Sequence, residues 1–165
     1  MKRTLTLLFM TAAMMNLTAT IARSETRDEW IALGTRVHGG FGAFVPVGIR
    51  IGLDALERLK AKPRDVTVTY FDSDKAPCAC VSDGIMIATA ASPGQRTLQI
   101  AAEKAPAGSM ALAIIRNKQT GETIRYAVAE SWMPQLAAWN KTLDPAGRYD
   151  AVMNADGLFE VAPVR

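Results

Sequence analysis

At Lys62-Pro63-Arg64 the hydrophobic period of this chain changes, and no other feature restricts its fold as much. Upstream, apolar residues recur every three or four positions. Downstream, Val66, Val68 and Tyr70 alternate with Thr67, Thr69 and Phe71. The first spacing puts one apolar stripe on a helix, and the second puts one apolar face on a strand. Two helices therefore lead into a strand, and an all-helical or all-strand fold is excluded.

The remaining punctuation completes an element order. Ser24 is placed to cap a first helix whose Trp30, Leu33 and Val37 share a face, and His38 followed by Gly39-Gly40 reads as its stop. Pro46 suits the first turn of a second helix over residues 46–61, with Ile49, Leu53, Leu56 and Leu59 at helical spacing. Gly48 and Gly52 leave one side of that helix flat. Each interior glycine costs up to about 1 kcal/mol relative to alanine, so close packing of another element is the expected compensation. Arg50, Asp54 and Arg58, four apart, read as a solvated ion-pair ladder. A small buried helix is expected over 81–91 and strands over 97–102, 110–117 and 123–129. A hairpin turn falls at Lys118-Gln119-Thr120-Gly121, a helix over 132–143, and a strand or extended tail over 158–164. The expected class is α+β: a mixed sheet with helices packed mainly on one face.

The 165 residues, 49% apolar and 21% charged, suffice for one domain with a core and are too few for two ordinary ones. Met1-Lys2-Arg3 followed by an apolar run over 5–15 and small residues up to Ala22 has the form of a signal peptide. The run is shorter than the ~20 residues a spanning helix needs. The expectation is a leader over 1–22, export to a periplasm, and a single domain over 23–165 with no membrane contact after cleavage. Without Lys2 and Arg3 the formal charge of +3 falls close to neutrality, so no nucleic-acid footprint is expected.

Two segments concentrate the reactive residue types. One is His38, the sole histidine, with the loop Gly39-Gly40-Phe41-Gly42-Ala43-Phe44. The other runs from Ala76 to Gly84 and holds the two cysteines, Cys78 and Cys80, and Asp83. Cys80 stands at a helix N-terminus, where aligned peptide dipoles favour a thiolate. An imidazole, two thiols and a carboxylate are ligands that zinc or a copper ion accepts. C-x-C is not the usual C-x-x-C of zinc sites, and a Cys78–Cys80 disulfide remains open, closing a very tight and easily reduced ring. His38 as a helix cap and Asp83 as a first-turn acid are the bland alternatives. No G-x-S-x-G or P-loop sequence occurs, so neither a nucleophile elbow nor a nucleotide cradle is expected.

The same two segments resemble the FmdE domain of formylmethanofuran dehydrogenase and its stand-alone relatives. The family signature H-G-H-x-C-P-G-x-x-x-G-x-R is met here by His38, Gly39, Gly48 and Arg50. A second signature, C-x-x-D followed by a glycine turn, is met by Cys80, Asp83 and Gly94. Gly40, Gly42 and Ala91 stand where the family carries further ligands, and Cys78 is an additional thiol. The resemblance implies an α+β fold with helix–strand–helix–three-strand order and a site between the glycine loop and the second helix that can hold a metal, commonly zinc. The expected function is an exported accessory or binding protein with a partial site for zinc or another transition metal. Its metal set would be His38 and Cys80 with Cys78 and Asp83 as adjuncts, and Gly39, Gly40, Phe44 and Arg50 would contact the bound group, Arg50 by orienting it or by pairing with an anion. Enzymatic activity is not assigned. The expected partner is a small ligand or metal, with a homodimer left open. Two alternatives are a metal-free pocket lined by Phe41 and Phe44 for an organic ligand, and a thiol redox protein using Cys78 and Cys80.

Overall fold

A computed structural model describes residues 25–164. The expected leader over 1–22 and the expected cap Ser24 lie outside the described residues. The helices are α1 (Arg27–His38), α2 (Phe44–Arg58), α3 (Cys80–Thr89), α4 (Met133–Thr142) and α5 (Pro145–Met153). The strands are β1 (Val66–Asp72), β2 (Leu98–Ile100), β3 (Ser109–Asn117), β4 (Thr123–Ala129) and β5 (Glu160–Pro163). The strands form one sheet in the order β2-β1-β3-β4-β5, with β1 and β2 parallel and the other pairs antiparallel. The mixed α+β class expected from the order of periods is the one observed. No helix among the described residues is long and apolar enough to cross a membrane.

The register shows which face of the sheet the helices cover. Val66, Val68, Tyr70 and Asp72 stand opposite Asn117, Ile115, Ala113 and Ala111, and paired residues of antiparallel strands share a face. From that face the buried Asn117 side chain donates to the Leu59 carbonyl at the end of α2, 3.0 Å away. Tyr126, opposite Ala113, donates its hydroxyl to Asp54 of α2 at 2.6 Å. The reverse face carries Thr67, Thr69, Arg116 and Arg125, none of them buried. The helix layer therefore lies on one side, as expected.

Gly48 and Gly52 fulfil the packing role that their spacing suggests. A Cβ on Gly48 would overlap the Val81 carbonyl oxygen and lie 2.8 Å from the Gly84 Cα, and one on Gly52 would lie 2.6 Å from the Ala88 Cβ. Gly48 and Gly84 thus meet backbone to backbone where α2 crosses α3. This contact presses the N-terminal part of α3 against α2.

Three expectations need correction. The cap of α1 is Thr26, in a capping box with Glu29, so the helix begins later than a Ser24 cap implies. Leu33 and Val37 are 36% and 44% exposed, and the buried row of α1 is Trp30 and Gly34. A Cβ at Gly34 would fall 2.6 Å from the Phe41 ring, so the ring closing on this glycine selects the inward face. Third, α5 is absent from the expected order, although Asp144 caps it by accepting from the Gly147 N–H and Pro145 opens it.

Only half of the expected ladder on α2 is present. Arg58 pairs with Asp54 at 2.6 Å, but Arg50 turns away and donates to the carbonyls of Val152 and Ala155, at 2.7 and 2.6 Å. Its guanidinium also stacks over Phe159, 5.3 Å from the ring centroid. Arg50 therefore ties α2 to the carbonyl end of α5 and to the segment entering β5. Arg50→Met is expected to destabilise the fold by about 2–3 kcal/mol, because two carbonyls lose a charged donor. A urea titration measures it, and a change below ~0.5 kcal/mol would contradict this tie.

Candidate metal centre

The ends of three elements converge at one place. The last residue of α1 is His38, and Gly39 follows at φ 87°, its N–H bonded to the Thr35 carbonyl. This left-handed cap turns the chain away and leaves the imidazole at the helix end. The strand β1 ends at Asp72 and runs into the loop that carries Cys78. Cys80 is then the first residue of α3, and Asp83 lies in its first turn. Pressing α3 onto α2 at the glycine crossing sets Cys80 and Asp83 beside the end of α1.

His38 Nδ1 shares a 2.8 Å hydrogen bond with Asp83 Oδ2. An ionised carboxylate can only accept, so the shared proton belongs on Nδ1, and in the neutral ring this leaves the lone pair on Nε2. This is how a carboxylate fixes the tautomer and direction of a metal-binding histidine. The side chains are 27% and 34% exposed, so the pair stands at the rim of the core.

The candidate ligand atoms of His38, Cys78 and Cys80 all lie within 4.8 Å of one another. Cys80 is buried and Cys78 partly buried. The two sulfurs are bonded to each other, with Cα atoms 5.3 Å apart, so the disulfide left open in the sequence is formed. In that state neither sulfur is a thiolate. Reduction would present two thiolates and one imidazole to a common point, a donor set that suits zinc or a comparable ion and leaves a fourth position. The residues present fit a transition metal in the dithiol state.

The other expected site residues are placed differently. Asp83 meets the His38 ring instead of joining the three-atom cluster. Gly39 and Gly40 have open space around the position of a Cβ. Phe44 and Phe41, at 5% and 4% exposure, are core residues, so the organic-ligand cleft expected from them is not built. The reason is geometric: the loop folds Phe41 back onto Gly34 and Tyr149, while Phe44 opens α2 from inside. Arg50 is engaged by α5, as described above. Sequence reasoning missed Tyr70. Its hydroxyl is buried without a hydrogen-bond partner, and so is Asp72 Oδ1, two residues along the same face of β1. Burial pushes the Tyr70 hydroxyl far up from its ordinary range, and the charges of Asp72 and Asp83 push it in the same direction. Alternation along β1 places Tyr70 inward, but nothing in the sequence places its hydroxyl near Asp83.

A family model described as FmdE, Molybdenum formylmethanofuran dehydrogenase operon, matches residues 37–154, from just before His38 to the end of α5. A comparison with curated proteins finds no match.

Proposed function

The chain belongs to the FmdE family, and on that premise we propose that it is an exported metal-binding accessory protein. His38, Cys78 and Cys80 hold one ion, zinc or another transition metal, when the two cysteines are reduced. The observation that carries this reading is the approach of three ligand atoms to within 4.8 Å from segments far apart in the sequence. Cys80 supports it from the N-terminus of α3, whose peptide dipoles favour the thiolate form. Asp83 supports it as the partner that keeps Nε2 available. The ion would supply Lewis acidity at a fourth position, and the protein residues bind and orient it. A leader at 1–22, as the basic head and apolar run of the sequence suggest, would export a near-neutral domain to a periplasm, where its partner would be a small ligand.

The test is metal analysis of protein purified with a reductant and without chelators. One equivalent of metal is expected in the wild type and none in His38→Ala. Asp83→Asn is expected to bind about 10–100-fold more weakly by competition with a chromophoric chelator, the range typical of groups that orient a ligand. Absence of bound metal from the fully reduced wild type would reject the reading.

A further inference from the structure

Reduction decides whether the His38–Cys78–Cys80 cluster can take an ion, and its two sulfurs are not equivalent towards a reductant. Cys78 stands in the loop between β1 and α3 and is partly buried, with exposed Asp74, Lys75 and Pro77 ahead of it. Cys80 is the first residue of α3 and is 5% exposed, as a member of the core cluster. Its helix is fixed on α2 by the backbone contact between Gly48 and Gly84. A thiolate attacks a disulfide along the S–S axis, so access decides which sulfur is attacked and which one leaves. The core closes the approach to Cys80, and the loop leaves the approach to Cys78.

We infer that a dithiol partner opens this site through Cys78, and that Cys80 is the sulfur released to the ion. One partner thiol loses its proton and attacks Cys78 Sγ. The Cys78–Cys80 bond breaks, and Cys80 keeps the electron pair as a thiolate at the N-terminus of α3, where the peptide dipoles favour it. A ring nitrogen of His38 lies within 4.8 Å of that sulfur. The partner's second thiol then loses its proton and attacks the partner's own sulfur in the mixed disulfide, and Cys78 leaves as the second thiolate. The partner dithiol is oxidised to a disulfide, and the cysteine pair gains two electrons. The two protons go to these thiolates, or to solvent when an ion takes their place. A dithiol is favoured over a monothiol because Cys80, two residues from Cys78 and held in place, attacks back on the mixed disulfide. A second thiol tethered to the first competes with that reversal at high effective concentration, and a free monothiol competes poorly.

The inference rests on the metal reading for what fills the opened site, and its test uses no metal. Oxidised wild type is treated with glutathione and quenched with N-ethylmaleimide. Fragmentation mass spectrometry is expected to find glutathione on Cys78 and the maleimide on Cys80 in a ratio of at least about ten to one over the reverse. Full reduction of the wild type by dithiothreitol is expected to be at least about tenfold faster than by glutathione at equal thiol concentration. That advantage should shrink to less than about threefold for release of glutathione from Cys78 in Cys80→Ser, where nothing attacks back. Glutathione found equally on both sulfurs or chiefly on Cys80, or a dithiol advantage that persists in Cys80→Ser, would overturn the inference and leave the metal reading standing. Failure of the fully reduced protein to bind zinc would overturn the metal reading, and with it the release of Cys80 to an ion.

Discussion

Gly84→Ala is expected to leave the chain largely unfolded or insoluble. The added Cβ would overlap the Val45 carbonyl oxygen and lie 2.7 Å from the Ile49 nitrogen and 2.8 Å from the Gly48 Cα. All three are backbone atoms of α2 and cannot rotate aside, so α2 and α3 must separate. Alanine gains up to about 1 kcal/mol of helix propensity over glycine. Separating the helices opens the core between them, where Val45, Ile49, Val81 and Ile85 are buried. Overpacking typically costs about 1–3 kcal/mol and occasionally more, and a clash with backbone that cannot give falls at the upper end, a large part of the ~5–15 kcal/mol that stabilises a domain. Gly48→Ala should behave alike, because it strikes the same crossing from the other side. Gly52→Ala meets the Ala88 and Thr89 side chains before any backbone and should cost about 1–2 kcal/mol. Thermal unfolding of the three variants checks the ranking, and a Gly84→Ala protein as stable as wild type would contradict the crossing.

The second large effect is on metal uptake, which is expected to switch fully with the state of the cysteine pair. In the disulfide neither sulfur carries the charge that binds a cation, so protein oxidised with diamide should take up no zinc. Reduction with a phosphine should restore one equivalent. Cys78→Ser and Cys80→Ser each remove one of three protein ligands and should weaken binding by more than the ~100-fold ascribed to orienting partners. The Cys80 variant should be the more severe, because that sulfur is buried at a helix N-terminus. Equal zinc uptake by the oxidised and reduced proteins would remove the cysteines from the site. These measurements also separate the metal reading from a purely redox role, in which the pair would cycle without any ion.

The two cysteines, the lone histidine and the aspartate can all be found in the sequence, because rare residue types at element ends are visible as letters. Their meeting cannot be, since His38 and Cys78 belong to segments with no local reason to approach. Arg50 shows the opposite error. It matches a family position that suggests an anion, yet its partners are carbonyls at the end of α5, a helix absent from the expected order. Phe41 and Phe44 fall in a glycine-rich stretch that reads as a loop in the sequence, and tertiary packing turns both inward, Phe44 as the first residue of α2. Tyr70 is legible only as an inward strand residue.

What the sequence by itself determined is the class of the fold and the extent of most elements, because these follow from hydrophobic period, caps and glycines, which act over one or two turns. It also marked α2 as a helix with a flat side. The tertiary structure alone decided which helix fills that side, and with it the juxtaposition of Cys80, Asp83 and His38. Contacts between remote segments depend on shape complementarity across the whole core, and that is a property no local spacing encodes.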